Sequence, residues 1–444
     1  MELAREIEKN EPHNYFYNMF SRYTSSLDLK TLRRYWEKYL SYYYSYDINI
    51  PVDMYVHIPF CTSKCSYCQY FSVSQISDRK VSDYLNYLKD YILYFSDVFN
   101  KTKIKNLYVG GGTPNYLSPS QLDDLLTCIF ENMSFEEGNY ERTIELHPAQ
   151  FDKKYLSIAE KFDFNRISLG IQSFNNMTLK SVNRTYVSFQ DAKDICSTIR
   201  SSSRIKYLNI DLIVGLKGED ENDILDSINK TVKLGADTIT LYTIQEHVTE
   251  SSMFTGHDSF YKRVAKFFLK IKKEQFDDYI FSTMGDSLII GGALIRKDFS
   301  HMPQRYEKES SEKKSVFAIG GGSKGHIYGL LEYKHMDSII TNFSETQRIL
   351  GQRFTWDDFM ANYMVRSFYE GKIDKHDFNT RFKSDIHSVF SEEISFLKEE
   401  GVLVEGDGIY YWRLDNPHAK ILYSSIFIPS SFLKKIIRSQ KKSS

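Results

Sequence analysis

An α/β fold of parallel βα units is predicted for this chain, with a helical extension ahead of it and a small α+β unit behind. Three observations predict it. From about residue 51, short β-branched or apolar runs alternate with longer amphipathic runs. The residues just after those short runs are unusually polar or glycine-rich. One of these junctions, HIPFCTSKCSYCQYF at 57–71, holds three of the chain's five cysteines in a C-x3-C-x2-C spacing.

The strand candidates are 54–58, 106–110, 142–146, 166–170, 209–213 and 238–242. Helix candidates lie between them near 82–99, 119–132, 153–162, 188–202 and 221–234. The last begins in an acidic stretch that suits a helix N-terminus. Strands alternating with helices imply right-handed parallel crossovers. In barrels of such units the chemistry gathers at the strands' C-terminal ends. The unusual residues obey that rule. The cysteine loop follows strand one, GGGTP (110–114) follows strand two, and strand three ends at Glu145 before LHPA. Strand four runs into GIQSF (170–174), strand five carries Asp211 and runs into GLKG (215–218), and strand six ends in YTIQE (242–246).

Three units are expected: an N-terminal helical extension (1–50), the barrel (51–300) and a C-terminal region (301–444). RYTSS (22–26) reads as a turn leading into the barrel. The helical patterns of 345–400 and a hairpin-like end at 402–412 resemble a winged helix. No basic recognition helix stands out, so a lid or docking role is expected rather than DNA reading.

The totals exclude other classes. With 444 residues and a formal net charge of −1, the chain can bury a large core and carries no nucleic-acid stripe or membrane-surface patch. The basic end at 434–442 reads as a solvated tail. The start, MELAREIEKNEPHNYF, has no apolar core of a signal peptide, and no run reaches about 18 uninterrupted apolar residues. An odd cysteine count with three clustered is no disulfide framework; it reads as cytoplasmic metal or redox chemistry. Cys128 and Cys196 fall in amphipathic helical patterns and read as core.

Thiolates bind zinc or iron–sulfur clusters. Zinc would need a fourth ligand, and His57 sits in the strand rather than the loop. A [4Fe–4S] cluster on three cysteines leaves one iron open to an external ligand. Cys61, Cys65 and Cys68, with Tyr67 just before the last, carry the signature of radical S-adenosylmethionine (SAM) enzymes. Beside them, bare backbone at GGGTP would let a cofactor approach closely. Glu145 is placed to hydrogen-bond it. Arg184 and Asp211 together suit a zwitterionic ligand. His147 and His326 read as structural.

These residues resemble the oxygen-independent coproporphyrinogen III dehydrogenase (HemN-like) family of the radical SAM superfamily. The resemblance rests on YVHIPFC (55–61), GGGTPNYL (110–117), RISLGIQSFN (166–175), VNR (182–184) and NIDLIVGL (209–216). It implies a partial (β/α)6 radical SAM barrel with a C-terminal winged-helix-like α+β domain. It implies a [4Fe–4S] cluster on Cys61, Cys65 and Cys68, and one or two molecules of SAM. Tyr55, Gly111, Glu145 and Gly325 match positions that contact the cluster-bound SAM; Tyr67, Gly112, Thr113, Gln172, Arg184 and Asp211 match a second SAM site. A small-molecule substrate and a reductant such as flavodoxin or ferredoxin are implied partners. The match departs from the family at Gln69 and Tyr70, where a further cysteine is usual, at GLK in place of GLP, and across 285–325. The expected reaction is therefore radical C-methylation or cyclopropanation using a second SAM. Oxidative decarboxylation of a porphyrinogen, haem chaperoning and haem-degrading methyl transfer are the alternatives. No catalytic residue is assigned.

Overall fold

The structure is a computed structural model. It describes residues 25–45, 52–244, 260–274, 276, 278–283, 291–299, 314–367, 371–413, 423 and 425–427.

Six parallel strands form the centre: β2 (Val52–Ile58), β3 (Ile104–Gly111), β4 (Arg142–Leu146), β5 (Arg166–Gln172), β6 (Tyr207–Val214) and β7 (Thr238–Thr243). They lie side by side in sequence order, as the βα rhythm predicts. The covering helices α2 (Asp78–Phe95), α3 (Pro119–Asn132), α4 (Lys153–Lys161), α6 (Phe189–Arg200) and α7 (Glu221–Lys233) follow the predicted alternation. A further short helix, α5 (Asn176–Ser181), lies in the β5 crossover. Local chemistry starts these helices where it can be read. Ser118 and Gln121 form a reciprocal capping box with Pro119 in the first turn, and Asp220 and Asp223 form another. Asp152 and Ser188 accept backbone N–H groups at the starts of α4 and α6.

The sheet does not stop at the ends of the predicted barrel. On the β7 side it continues antiparallel through β9 (Gly291–Arg296) to β8 (Tyr279–Thr283). On the β2 side, β10 (Ser315–Ile319) pairs parallel with β2 and leads into an antiparallel series. That series is β11 (Lys324–Ile327), β12 (Leu331–His335), β13 (Arg348–Arg353) and β1 (Ser25–Asp28). The boundaries expected at 50 and 300 therefore do not separate structural units. The first helix among the described residues, α1 (Leu29–Ser45), and β10 share one core: Trp36 packs on Phe99 and Phe317, with ring centroids 5.2 and 5.8 Å apart. The reason is invisible in a linear reading. β10 is a wholly buried five-residue run whose partner strand lies more than two hundred residues earlier in the chain. Of the turn expected at 22–26, residues 22–24 lie outside the described set, and Ser25 and Ser26 belong to β1.

A second core lies mainly beyond β13, joined by Tyr328 from the turn between β11 and β12. Helices α8 (Trp356–Ser367), α9 (Lys375–Phe382) and α10 (Ile386–Glu399) pack around Phe359, Tyr363, Phe378 and Phe382. A three-stranded sheet completes it, with β16 (Ile409–Trp412) between β14 (Lys372–Asp374) and β15 (Leu403–Gly406). This is the winged-helix-like α+β end that the sequence predicts. No helix among the described residues is long and apolar enough to cross a membrane.

Candidate functional site

The C-terminal ends of β2 to β7 meet on one rim. The cysteine loop leaves β2 at Ile58 and is pinned at its base: Cys61 N–H donates to the Val73 carbonyl (2.9 Å) and Val73 N–H to that of Pro59 (2.7 Å). Its outer edge docks on the segment after α5, where Ser66 N–H donates to Val182 O (3.1 Å) and Asn183 Nδ2 to Lys64 O (2.9 Å). The loop is thus tied to two distant parts of the chain.

Cys65 is buried, and Cys61 and Cys68 are half-buried. Burial pushes the Cys61 and Cys68 thiols up from their ordinary range. The Thr113 hydroxyl, 3.5 Å from Cys61 Sγ, opposes this at Cys61. A second donor, Arg184 Nη1, faces Cys65 Sγ at 3.7 Å. Buried thiols with fixed donors aimed at them suit thiolates that ligate a metal. Among the described residues no three His, Cys, Asp or Glu side chains stand close enough to grip a single ion. Thiolates of a [4Fe–4S] cluster bind separate irons and need no such spacing.

Beside the loop lies a shelf of bare backbone. A Cβ on Gly112 would stand 2.8 Å from the Phe60 carbonyl oxygen and 2.9 Å from that of Ile58. One on Gly111, whose φ is +114°, would meet the His57 ring at 2.6 Å. One on Gly110 would meet Glu145 Oε2 at 2.6 Å. Glu145 holds the shelf, accepting from Gly111 N–H at 3.0 Å and from the Tyr108 hydroxyl at 2.6 Å. His57 supports it from beneath. Its Nε2 donates to the Phe71 carbonyl (2.9 Å), so its Nδ1 accepts from the Tyr55 hydroxyl (3.0 Å). Burial lowers the His57 pKa to about 4, which keeps this neutral form.

On the far side stand Gln172 and Arg184. Gln172 has φ of +74°, a conformation unusual for a side-chain-bearing residue, and its Oε1 is buried with no hydrogen-bond partner. Arg184 also donates to the Gly170 carbonyl. Tyr67 packs on Leu179, Val182, Leu216 and Ile244. The bare glycines let Glu145, His57 and the Ile58 and Phe60 carbonyls pack against the end of β3, and the unpaired Gln172 acceptor is the group there that a bound cofactor would satisfy.

The structure thus gathers Cys61, Cys65, Cys68, Tyr55, Tyr67, Gly111, Gly112, Thr113, Glu145, Gln172 and Arg184 around one rim. Two expected residues have partners within the fold. Asp211, read with Arg184 as suiting a zwitterionic ligand, has oxygens that accept from Ser168 Oγ and Asn209 Nδ2, each at 2.7 Å, and burial raises its pKa. Gly325 lies in β11 beneath the Tyr333 ring, where a Cβ would meet it at 2.3 Å. Gly322 reaches the cysteine loop at Phe71, and Gly320 packs against His57 at the end of β2. His147 and His326, the two further histidines weighed from the sequence, are hydrogen-bonded within the fold. His147 Nδ1 accepts from Ala149 N–H, and His326 Nε2 donates to the Lys314 carbonyl.

Sequence reading missed Tyr108 and the inward face of His57. The period-two alternation of a strand was the available signal: Tyr108 and Gly110 share a face of β3.

A barrel of this topology with a three-cysteine loop on its rim defines the radical SAM class, and the superfamily's sequence model matches residues 55–231. The oxygen-independent coproporphyrinogen III oxidase of Synechocystis is 32% identical over 415 residues, covering 85% of this chain and 84% of its own. A haem chaperone of Lactococcus lactis is 26% identical over 364 residues, covering 80% of this chain and 91% of its own. Several other curated relatives are matched over only about half of their own length. The solved coproporphyrinogen III oxidase of Escherichia coli, at 18% identity, superposes with a TM-score of 0.68 over 85% of this chain and 90% of its own, which shows a shared fold. This chain belongs to the oxygen-independent coproporphyrinogen III oxidase (HemN-like) family of radical SAM enzymes. That family works with a [4Fe–4S] cluster and SAM.

Proposed function

We propose that Cys61, Cys65 and Cys68 hold the cluster, that the Gly110–Gly112 shelf and Glu145 seat SAM beside it, and that the enzyme oxidises a small porphyrinogen-type substrate. Bound there, the cluster and SAM supply one-electron cleavage and hydrogen-atom abstraction. The chain's own residues do the rest. Thr113 and Arg184 direct donors at thiolate sulfur, which favours the ligating form and tunes the cluster's potential. Glu145 locks the Gly111 amide, so the shelf needs no reorganisation when a ligand arrives. Gln172 offers an unpaired acceptor, and Tyr67 with its apolar neighbours excludes water.

The observation that carries this reading is the convergence of three buried or half-buried cysteines with the glycine turn after β3 and the unpaired Gln172 acceptor on one rim. The substrate class follows the printed activity of the oxidase matched over most of both chains. The relatives named above are an oxidase and a chaperone, not agents of the carbon transfer expected from the sequence, and the proposal follows them. A second reading, haem binding without turnover, is favoured by the chaperone matched over 91% of its own length.

The test uses anaerobically reconstituted, reduced protein with SAM and coproporphyrinogen III. 5′-Deoxyadenosine and carbon dioxide released together support oxidation. Tight haem retention with no SAM cleavage supports the chaperone reading. S-adenosylhomocysteine formed alongside deoxyadenosine would restore carbon transfer. Cys65→Ala is expected to abolish both the cluster's absorbance and SAM cleavage; retention of both would sink the radical assignment.

A further inference from the structure

On β5, β6 and β7 every second residue is turned away from the covering helices, and on that face the strands are polar. Ser168, Asn209, Asp211, Thr238 and Thr240 are buried there, while Leu169, Ile210 and Leu241 between them join the apolar core. Hydrogen bonds link the polar side chains across the three strands. Arg166 Nη2 donates to Thr238 Oγ1 (2.9 Å), and Thr238 Oγ1 to Asn209 Oδ1 (2.6 Å). Asn209 Nδ2 donates to Ser168 Oγ (2.8 Å) and to Asp211 Oδ1 (2.7 Å). Ser168 Oγ donates to Asp211 Oδ2 (2.7 Å).

Proton counting fixes the direction of these bonds. A hydroxyl carries one proton, and a guanidinium only donates. Thr238 accepts from Arg166, so its own proton goes to Asn209 Oδ1. Ser168 accepts from the Asn209 amide, so its proton goes to Asp211. Thr240 adds a further donor to Asn209 Oδ1 at 2.9 Å. The series therefore starts on a cation and ends on a carboxylate, with its donors aimed one way. Exposure rises toward that end, from 2% at Asn209 and Ser168 to 9% at Asp211. The end also lies at the rim. Asp211 is in register with Gly170, and a Cβ on Gly170 would meet Gln172 Nε2 at 2.8 Å and Arg184 Nη2 at 3.1 Å. Asp211 thus stands one strand across from the position that those two side chains cover, and Gln172 keeps a buried acceptor unpaired there.

We propose that Arg166, Thr238, Asn209 and Ser168 act together as positioning residues, a relay that holds Asp211 charged and aimed as the acceptor for a hydroxyl or ammonium group of the bound ligand. The inference rests on the reading above that SAM is seated at this rim. Burial pushes the Asp211 pKa up, and the relay opposes it with two direct donors and the Arg166 charge behind them. Other ionisable groups share this face. Glu141 stands 4.0 Å from Arg166, Glu145 on β4 is in register with Ser168, Tyr242 follows Thr240 on β7, and Arg184 lies over Gly170. Donors already in place mean that the carboxylate needs no reorganisation when a ligand arrives.

The test titrates Asp211 in the reconstituted holoenzyme by difference infrared spectroscopy of the protonated-carboxyl C=O band, assigned by its loss in Asp211→Asn. SAM affinity is measured by calorimetry over the same pH range. Thr238→Val keeps the shape and breaks the relay at its middle, Ser168→Ala removes one direct donor, and Thr238→Ser restores the hydroxyl. Fewer donors favour the protonated acid, so in the first two variants the Asp211 titration should move up by about one pH unit. The pH below which SAM affinity falls should move up with it, and Thr238→Ser should behave as wild type. Affinity lowered equally at every pH, with no movement of that limb, is what a structural role alone would give, and it overturns the proposal. So does an Asp211 titration unmoved in both variants, or one that moves while affinity does not follow. If the wild type binds no SAM, the reading of the rim falls instead, and the infrared titration still decides the relay.

Discussion

At the scale of single residues, the site depends on what is missing as much as on what is present. Gly112 approaches the last residues of the strand-to-loop junction so closely that its own N–H donates to Ile58 O at 2.8 Å. A methyl group there presses on the backbone oxygens of Ile58 and Phe60, just before Cys61, and backbone cannot swing aside as a side chain can. Gly112→Ala is therefore expected to cost about 1–3 kcal/mol and to lower iron content after reconstitution, read by denaturant unfolding and iron assay. Full iron loading at unchanged stability would refute the close-packed shelf. The cysteines and glycines were legible because each is an unusual residue at a strand end. The partners that hold them were not. His57 was set aside as a strand residue, and only the twist of β2 against β3 shows its ring beneath Gly111.

At the scale of elements, the loop after β6 is tied to the loop after β5 by one buried acid. Glu219, only 1% exposed, accepts from Gly215 and Leu216 N–H at 3.2 Å and from Ser173 Oγ at 3.2 Å. Burial pushes its pKa up to about 8 despite these donors. The folded pKa is above the unfolded carboxylate value near ~4.3. The folded state thus holds its proton longer, so this contribution is complete below the unfolded pKa and is lost as pH rises through about 8. Stability should decline over that window. Glu219→Gln keeps an acceptor for the two amides and should flatten the decline, measured as melting temperature against pH. An unaltered pH slope would mean the acid is ionised throughout. Elements with local signals were read well: α3 spans the predicted 119–132 because its capping box and Pro119 mark the start. The helix read at 82–99 instead runs Asp78–Phe95. Buried Val98 and Phe99 prolong its apolar rhythm after the helix ends, because Phe99 packs on Trp36.

At the scale of the whole molecule, two cores share one chain. The larger contains Trp36, the barrel and β10; the smaller contains Phe359, Tyr363, Phe378, Phe382 and Trp412. Phe382 sits at the middle of the smaller one, with ring centroids 4.6 Å from Phe378 and 4.8 Å from Phe359. Phe382→Ala should destabilise that core by about 3–5 kcal/mol. Cluster absorbance should persist, since no rim residue belongs to that core. Trp356 and Trp412 fluorescence should report its unfolding ahead of the loss of cluster absorbance. Simultaneous loss of both signals would show that the two cores unfold as one.

The βα rhythm, the strand ends that bear chemistry, the three-cysteine signature and the α+β tail all follow from local rules of periodicity, capping and spacing, which act between near neighbours along the chain. The long-range joins came only with the folded chain. These are the pairing of β10 with β2, the place of β1 beside β13, the approach of Gly320 to β2 and of Gly322 to the loop, and the engagement of Asp211 by Ser168 and Asn209. They depend on which buried edge meets which, and a buried apolar strand such as SVFAI carries no mark of its partner. That choice is made by packing, once all the surfaces are present together.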